Sequence, residues 1–214
     1  MPISNKIRCL EILAVVLTGL GKFVFMDGLN WKLPYILVIG IFWVGYVYYR
    51  SRQEQDILEY WGMGKANFRR TFLELLPIGI LCVVVFVWVG NYRGTNILNW
   101  HIIPILMLYP FWGVVQQFIV VGLMTKNLRD MEGIQFPAWL IILFTATVFG
   151  AVHYPHNLLI IGTFVLAMVY AALSLRNRNL IVLGTFHGWL GAFFYYTILG
   201  RDAFDEVFGV LLQS

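Results

Sequence analysis

Two adjacent glutamines and two histidines are the residues of this chain whose types and settings could support chemistry. Gln116 and Gln117 interrupt an apolar run, and His153 and His187 lie in similarly apolar stretches further along. An amide brings hydrogen-bond donors and an acceptor, and a neutral imidazole can accept a proton as a general base. Because unpartnered polar groups in hydrocarbon cost several kcal/mol, we expect these side chains to meet.

The composition indicates an α-helical membrane protein. Of the 214 residues, 60% are hydrophobic and 12% are charged, whereas soluble domains average about 45–50% apolar and about 25% charged residues. The apolar residues form long runs, which are typical of membrane-spanning helices and not of a membrane β-barrel. The net charge of +4 is spread over short loops and predicts no nucleic-acid partner. Cys9 and Cys82 lie in apolar runs, so no disulfide framework is expected.

Seven apolar segments are long enough to cross a membrane, which takes about 20 residues. In chain order they are Ile7–Phe25, Leu33–Tyr49, Leu73–Val89, Ile102–Met124, Phe136–Val152, Leu158–Leu175 and Leu180–Leu199. The first segment carries Lys22 and lacks a small-residue cleavage site, so we interpret it as a retained span and not as a signal peptide. No linker rich in serine, glycine or proline divides the chain, which predicts one integral-membrane domain over residues 1–214.

The distribution of lysine and arginine predicts the orientation. If the N-terminus is cytoplasmic, eleven basic residues fall on the cytoplasmic side and three on the other. The cytoplasmic set is Lys6, Arg8, Arg50, Arg52, Lys65, Arg69, Arg70, Lys126, Arg129, Arg176 and Arg178, and the opposite set is Lys32, Arg93 and Arg201. This bias predicts seven spans, with the C-terminus on the side opposite to the N-terminus.

Two further segments are expected to lie at the membrane surface. Residues 53–71 mix charges with aromatic residues such as Tyr60 and Trp61. This mixture predicts an amphipathic interfacial segment with its rings at headgroup depth, and an ordinary cytoplasmic loop is the alternative. Residues 205–212 are expected to form a short interfacial helix.

The four polar residues can meet only under two conditions. A straight fifth span would place His153 near the outer face, whereas Gln117 and His187 would lie nearer the inner face. We therefore expect the fourth span to continue as helix to about Arg129, because nothing before that residue stops it. Pro155 breaks the helix after His153, and we expect this turn to stay inside the membrane, against protein or a water-filled cavity.

The polar residues also follow an order along the chain, with a polar pair on one span, Phe-x-x-x-His on the next, a further span, and then a histidine among small residues. This order resembles the CAAX-protease and bacteriocin-processing (CPBP or Abi) family of intramembrane proteases. Members of that family typically show Glu-Glu-x-x-x-Arg, then Phe-x-x-x-His, then His-x-x-x-Asn. Here the three motifs align with 116–121, 149–153 and 187–191. The resemblance runs from about Trp61 to Gly191 and implies a family-like core at residues 73–199.

The chain departs from the family pattern at four positions. Both carboxylates of the first motif are amides here, its arginine position is Val121, and the asparagine position of the third motif is Gly191. In the family one glutamate is described as activating a water, while the histidines and asparagine assist or hold the oxyanion. An amide cannot accept that proton. The site residues that the resemblance implies are Gln116, Gln117, His153 and His187.

The sequence does not decide whether the protein binds a cofactor. The alternatives are no cofactor and a divalent metal such as zinc. Others have described the family's site residues as metal ligands, which would place a metal at His153 and His187. An amide is a poor zinc ligand, and two histidines alone are too few for a catalytic zinc site. Glu11 and Glu74 are the only carboxylates within spans, and both lie near inner ends, so neither is expected to reach the site.

Several functions are compatible with the sequence. The chain could be an intramembrane peptidase for membrane-embedded or lipidated peptides or proteins, with a histidine as base and a glutamine holding the oxyanion. It could instead be a non-catalytic pseudoprotease that binds a membrane protein or lipid in the same cavity, with the glutamines hydrogen-bonding across helices. A designed Glu-to-Gln inactivation is disfavoured, because Val121 and Gly191 depart as well. A transporter is disfavoured, because the sequence shows no inverted repeat.

Overall fold

The computed structural model describes residues 3–212, with side chains described as far as residue 209. Over these residues the protein is entirely helical, as predicted. The nine helices are α1 (Asn5–Gly28), α2 (Lys32–Gln53), α3 (Ile57–Trp61), α4 (Phe68–Arg93), α5 (Ile102–Arg129), α6 (Ala138–Ala151), α7 (Asn157–Leu175), α8 (Leu180–Leu199) and α9 (Ala203–Leu212).

Six of these helices, α1, α2, α4, α5, α7 and α8, are long and apolar enough to cross a membrane. The remaining predicted span corresponds to α6, which is apolar but has only 14 residues. Large apolar side chains such as Ile41 and Phe111 are 72% and 73% exposed on the outside of the bundle, where lipid can cover them. The chain is therefore a multi-pass integral membrane protein.

Helices α5 and α8 form the centre of the bundle. Their apolar windows are 44% and 56% buried within the protein, against 11% for α1, α2 and α4. Glycines allow the two backbones to approach closely, because a Cβ atom at Gly113 would collide with the carbonyl oxygen of Gly184, and one at Gly188 with that of Tyr109. The packing face of α8 against α5 thus includes Gly184 and Gly188. It does not include Gly191, where a Cβ atom would have nothing within 4 Å.

Helix α5 continues without interruption to Arg129, as predicted. Its hydrogen-bonding changes from α-helical to π-helical at Phe118–Thr125, directly after the glutamine pair. π-Helical stretches are rare and are frequent at functional sites, because they shift the side chains that follow relative to those that precede.

Helix α6 is too short to reach across the membrane. At about 1.5 Å per residue its 14 residues span roughly 21 Å, whereas the hydrocarbon core is about 30 Å thick. This length fits the prediction that the turn after Ala151 lies inside the membrane, and that position stays a prediction. Lys22 of α1 covers this turn, since its Nζ donates a hydrogen bond to the carbonyl oxygen of Tyr154 at 2.9 Å.

The segment between α2 and α4 contains the short helix α3, and its aromatic residues are not all at the surface. Trp61 is completely buried and packs edge-on against Phe118 of α5, with ring centroids 4.9 Å apart. Ile57 is buried in the same cluster, together with Trp43 of α2. The segment therefore anchors α2 to α5, and Trp61 contributes to the interior of the protein. The predicted terminal helix is present as α9.

Candidate functional site

Gln116 and His187 are in direct contact between the two central helices. The Nε2 atom of His187 lies 2.8 Å from Oε1 of Gln116. An amide oxygen can only accept, so Nε2 carries the proton and donates it. Glycine packing sets this contact, because Gly113 lies one turn before Gln116 and Gly188 directly follows His187.

The other nitrogen of His187 has no partner among the residues that the structure describes. His187 is 8% exposed, and its Nδ1 atom is buried with no hydrogen bond to any of them. Since Nε2 holds the proton, Nδ1 carries a lone pair that can accept a hydrogen bond or a proton. A buried acceptor without a partner is costly in a structural role, so this atom is a candidate for contact with water or a ligand.

His153 is held at the end of α6 by its own helix. Its Nδ1 atom lies 2.7 Å from the carbonyl oxygen of Phe149, one turn earlier. The carbonyl can only accept, so Nδ1–H donates, and Nε2 is the nitrogen with the free lone pair. The side chain is half-buried, in contrast to His187. The Phe-x-x-x-His spacing thus fixes both the orientation and the tautomer of His153.

Phe149 brings the two histidines together. Its ring centroid is 5.0 Å from that of His153 and 5.5 Å from that of His187, and Phe149 is itself buried. The structure therefore places His153 and His187 against one aromatic ring, and Gln116 is joined to them through its hydrogen bond with His187. The sequence motif identified Phe149 by its position, whereas its role as the common contact of both imidazoles is visible only in the structure.

Gln117 differs from Gln116 in its surroundings. Its side chain is completely buried, and neither its Oε1 nor its Nε2 has a hydrogen-bond partner among the described residues. Such a side chain loses the interactions it would have with water and gains none in return. The structure does not record a contact between Gln117 and either histidine, so its membership of the site remains a prediction.

The comparison with protein families places these residues in one domain. Residues 97–193 match the family model described as type II CAAX prenyl endopeptidase Rce1-like. These residues form an Rce1-like CAAX endopeptidase family domain. The matched stretch contains all four predicted site residues and ends shortly after Gly191. No curated protein and no solved structure matches the chain significantly.

Two departures from the CAAX endopeptidase motifs have different structural settings. Val121 is completely buried in an apolar cluster with Leu75 and Phe149, so an arginine there would place a charge in the core. Gly191 has open space at its Cβ position, so a larger side chain fits there. The motif position at 191 is therefore sterically permissive, whereas the one at 121 is not.

The carboxylates of the spans are held away from this CAAX endopeptidase-like site. Glu11 accepts hydrogen bonds from Tyr46 and from Nδ2 of Asn127 at 2.6 Å, and pairs with Arg50. Glu74 forms a two-point ion pair with Arg178 at 2.6 and 2.9 Å. Their partners occupy both groups, which leaves the imidazoles as the candidate bases of the site.

The residues present do not fit a zinc centre. Among residues 3–212, His153 and His187 have no third histidine, cysteine, aspartate or glutamate close enough to complete a set of three ligands. The neighbouring Gln116 supplies an amide oxygen, which zinc does not favour. We therefore derive no chemical step through a metal at these two histidines.

A second cluster of metal-ligating types lies elsewhere, where His101, Asp202 and Asp205 have ligand atoms within 4.8 Å of one another. The oxygens of the Asp202 carboxylate already accept hydrogen bonds from protein donors. It accepts from Asn99 and Tyr196, contacts His101, and caps the first turn of α9 through the backbone N–H groups of residues 204 and 205. This cluster has a structural explanation as a helix cap.

Lys22 is a residue of the site region to which the sequence assigned no role. Its hydrogen bond to the Tyr154 carbonyl satisfies backbone that the broken helix leaves free, and Asp27 pairs with it at 2.6 Å. The sequence feature that could have indicated this role is a lysine inside an otherwise apolar first span. Charged residues within membrane spans usually have a specific partner.

Proposed function

We propose that this chain is a CAAX-protease-like intramembrane peptidase that acts on membrane-associated peptides or proteins, with His153 in place of the family's carboxylate base. The observation that carries the proposal is the contact of His153 and His187 with Phe149, together with the hydrogen bond between His187 and Gln116, within the family domain. His153 is the better candidate for the base, because its free Nε2 belongs to a half-buried side chain beside a turn, whereas His187 is almost enclosed.

The proposed reaction needs one proton carrier and one oxyanion donor. Nε2 of His153 removes a proton from water as the water oxygen attacks the scissile carbonyl carbon. The carbonyl electrons move to oxygen, and the NH₂ group of Gln116, whose Oε1 is occupied by His187, donates to the resulting oxyanion. When the carbon–nitrogen bond breaks, the His153 imidazolium returns the proton to the leaving amine. Water is consumed and the base is regenerated.

The orientation of the chain forms part of the proposal. The excess of basic residues on one side supports a cytoplasmic N-terminus. The substrate is then a membrane-embedded or lipidated peptide that reaches the site from within the bilayer. The lipid-exposed outside of the helical bundle supports this route for an apolar substrate.

A second candidate function is binding of the same class of peptide without turnover. The enclosure of Gln117 and His187 favours it, since a hydrolytic site must admit water to its base. On this interpretation the glutamines and His187 hold a helix interface or a bound segment, and the loss of both family carboxylates reflects the loss of catalysis.

The deciding experiment is cleavage of a farnesylated CAAX peptide and of a model transmembrane peptide by the purified protein in liposomes. We expect cleavage that falls by about 100-fold or more in His153→Ala, the range for loss of a general base. His156→Ala is the matched control, because that histidine lies in the same turn but is exposed and contacts Arg201. Cleavage that survives both His153→Ala and His187→Ala would overturn the peptidase proposal.

Gln117→Glu separates the two candidates. If the wild-type protein is inactive and Gln117→Glu cleaves the peptides, the chain is a binding protein that lacks only its base. If both proteins are inactive but the wild type retains the farnesylated peptide in a pull-down, and His187→Ala loses it, binding without turnover is supported. Absence of both cleavage and retention contradicts both candidates.

A further inference from the structure

A cavity of about 310 Å³ lies at the end of the helical bundle where α4 begins and α5 ends. Tyr60 and Lys126 line it, and Asn67 and Asn177 contribute from the loops before α4 and α8. All four residues lie on the side of the protein that carries the predicted cytoplasmic loops. The cavity is separate from the glutamine–histidine site, which lies more than two turns away from Lys126 along α5.

Lys126 is the unusual residue of this cavity. It is only 4% exposed, and its Nζ donates to the backbone carbonyl of Tyr60 and lies 5.4 Å from the centre of the Tyr60 ring. No carboxylate among residues 3–212 forms an ion pair with it, although an ammonium group has three N–H donors. A buried charge without a counter-ion is costly, so an anion bound beside this ammonium group would lower that cost.

The other basic residue that lines the cavity, Arg129, is already matched. Arg129 pairs with Asp130 through two contacts of 2.6 and 2.7 Å, and Asp130 also accepts from the Tyr60 hydroxyl at 2.8 Å. Burial raises the pKa of the Tyr60 phenol to about 12, so this group stays neutral. Burial would also raise the pKa of Asp130, but the hydrogen bonds from Arg129 and Tyr60 outweigh it and hold that pKa below its usual range. Glu59 lies exposed at the rim, where water screens it.

One uncompensated positive charge in the floor of the cavity matches one negative charge on a ligand. The surrounding helix ends place the cavity at the level where membrane-spanning helices leave the hydrocarbon, which is the level of lipid phosphates. We propose that this cavity binds the phosphodiester of a membrane phospholipid, with Lys126 as its counter-ion. This proposal does not depend on any reaction at the glutamine–histidine site.

The test compares lipid binding by the full-length protein and by a charge-neutral variant. Purified, delipidated protein is titrated with dioleoylphosphatidylglycerol, with dioleoylglycerol of the same chains but without phosphate, and with inorganic phosphate. Retention is read by native mass spectrometry and by the thermal shift in detergent. Loss of a paired charge contact corresponds to about a 10-fold weakening or more. We therefore expect Lys126→Gln to bind the phospholipid at least that much more weakly, while dioleoylglycerol binds both proteins weakly and equally.

Two further variants keep the result interpretable. Lys65→Gln is the matched control, because Lys65 is an exposed lysine in the same loop region that does not line the cavity, and it should bind like the wild type. Ala66→Trp fills the rim without touching the Lys126 charge and should also lose the phospholipid, even if Lys126→Gln folds poorly. Equal phospholipid binding by the wild type, Lys126→Gln and Ala66→Trp would overturn the proposal. Inorganic phosphate that binds as tightly as the phospholipid would overturn the assignment to a lipid.

Discussion

At the scale of single residues, the two glutamines have opposite energetic roles although they are adjacent. Gln116 accepts the His187 N–H, so its amide satisfies a polar group in the interior. Gln117 is completely buried and has no hydrogen-bond partner within residues 3–209, so its amide is a cost to folding. Unsatisfied groups of this kind are uncommon in proteins, and where they occur an explanation through function or bound water is expected.

This contrast predicts opposite effects of the same substitution. Gln117→Met removes an unpaired amide at similar volume and should raise the free energy of unfolding by about 1–3 kcal/mol. Gln116→Met leaves the His187 N–H without its acceptor and should lower it by a similar amount of about 1–3 kcal/mol. Thermal unfolding in detergent measures both. A loss of stability in Gln117→Met would show that this amide has a partner in the folded protein.

At the scale of elements, helices α5 and α8 position the site because glycines at their contact leave room for the two backbones to approach. Gly113, Gly184 and Gly188 allow backbone contact, and this contact sets the distance between Gln116 and His187. The short helix α6 then brings His153 to the same region from a third direction. No single helix contains the whole site. The site forms because α5, α6 and α8 come together beside Phe149.

Two glycines of α8 provide a matched test of this packing. Gly188→Ala should lower the free energy of unfolding by about 1–3 kcal/mol, because its methyl group would overlap the Tyr109 backbone. Gly191→Ala should be neutral or raise stability by up to about 1 kcal/mol, because its Cβ position is open and alanine favours a helix. Equal effects in a denaturation assay would contradict the proposed helix contact.

Helix α9 depends on the Asp202 cap, and its stability should therefore depend on pH. Burial alone would raise the pKa of Asp202, but hydrogen bonds from Asn99, Tyr196 and His101 outweigh it and hold that pKa well below the usual range. A carboxylate whose pKa is lowered by folding stabilises the fold at any pH above its pKa in the unfolded chain, about 3.9. This contribution is lost as the pH falls towards its pKa in the folded protein.

Asp202→Asn keeps a capping oxygen but removes its charge, so it should lower the unfolding temperature near neutral pH by the equivalent of about 1 kcal/mol, the difference between charged and neutral acceptors. The difference from the wild type should shrink as the pH falls below about 4. Asp205→Asn, at a mostly exposed side chain, is the control and should change little. A difference between Asp202→Asn and the wild type that stays constant on acidification would argue against a charged cap.

At the scale of the whole molecule, a buried polar network joins the N-terminal helices to the family domain. Glu11 of α1 contacts Arg50 of α2 and Asn127 at the end of α5, and Asn127 also contacts Arg8. Glu11 and Arg50 are each 4% exposed, so the network lies inside the protein. Together with the Trp61 cluster it fixes α1 and α2 against α5, which lets Lys22 reach the turn beside His153.

Loss of Glu11 should therefore destabilise the entire bundle. Glu11→Ala leaves Arg50 buried with one anionic partner fewer and should lower the free energy of unfolding by about 3–5 kcal/mol. Glu74→Ala removes a carboxylate whose side chain is 39% exposed, and its effect should be much smaller because water replaces the lost contact. Comparable losses in the two variants would show that burial does not distinguish these ion pairs.

The sequence alone determined the class of protein, the approximate ends of the six long apolar helices, and the family resemblance of residues 97–193. The seventh predicted span is the 14-residue helix α6, which is shorter than the others. Long apolar runs require internally bonded helices in lipid, and the motif order along those runs identifies the family without any knowledge of packing. It also predicted that α5 continues to Arg129 and that the turn at His153 lies within the membrane, because helix length and a proline determine both locally.

Only the tertiary structure decided how the polar residues are distributed among partners. Gln116 and Gln117 are equivalent in sequence, but they lie about 100° apart on the helix, so one faces His187 and the other faces the apolar interior. Whether Glu11 and Glu74 could reach the site was likewise set by arginines distant in the chain. Contacts of this kind depend on which helices pack against each other. The sequence shows which residues share one face of a helix, but it does not show which other helix packs against that face.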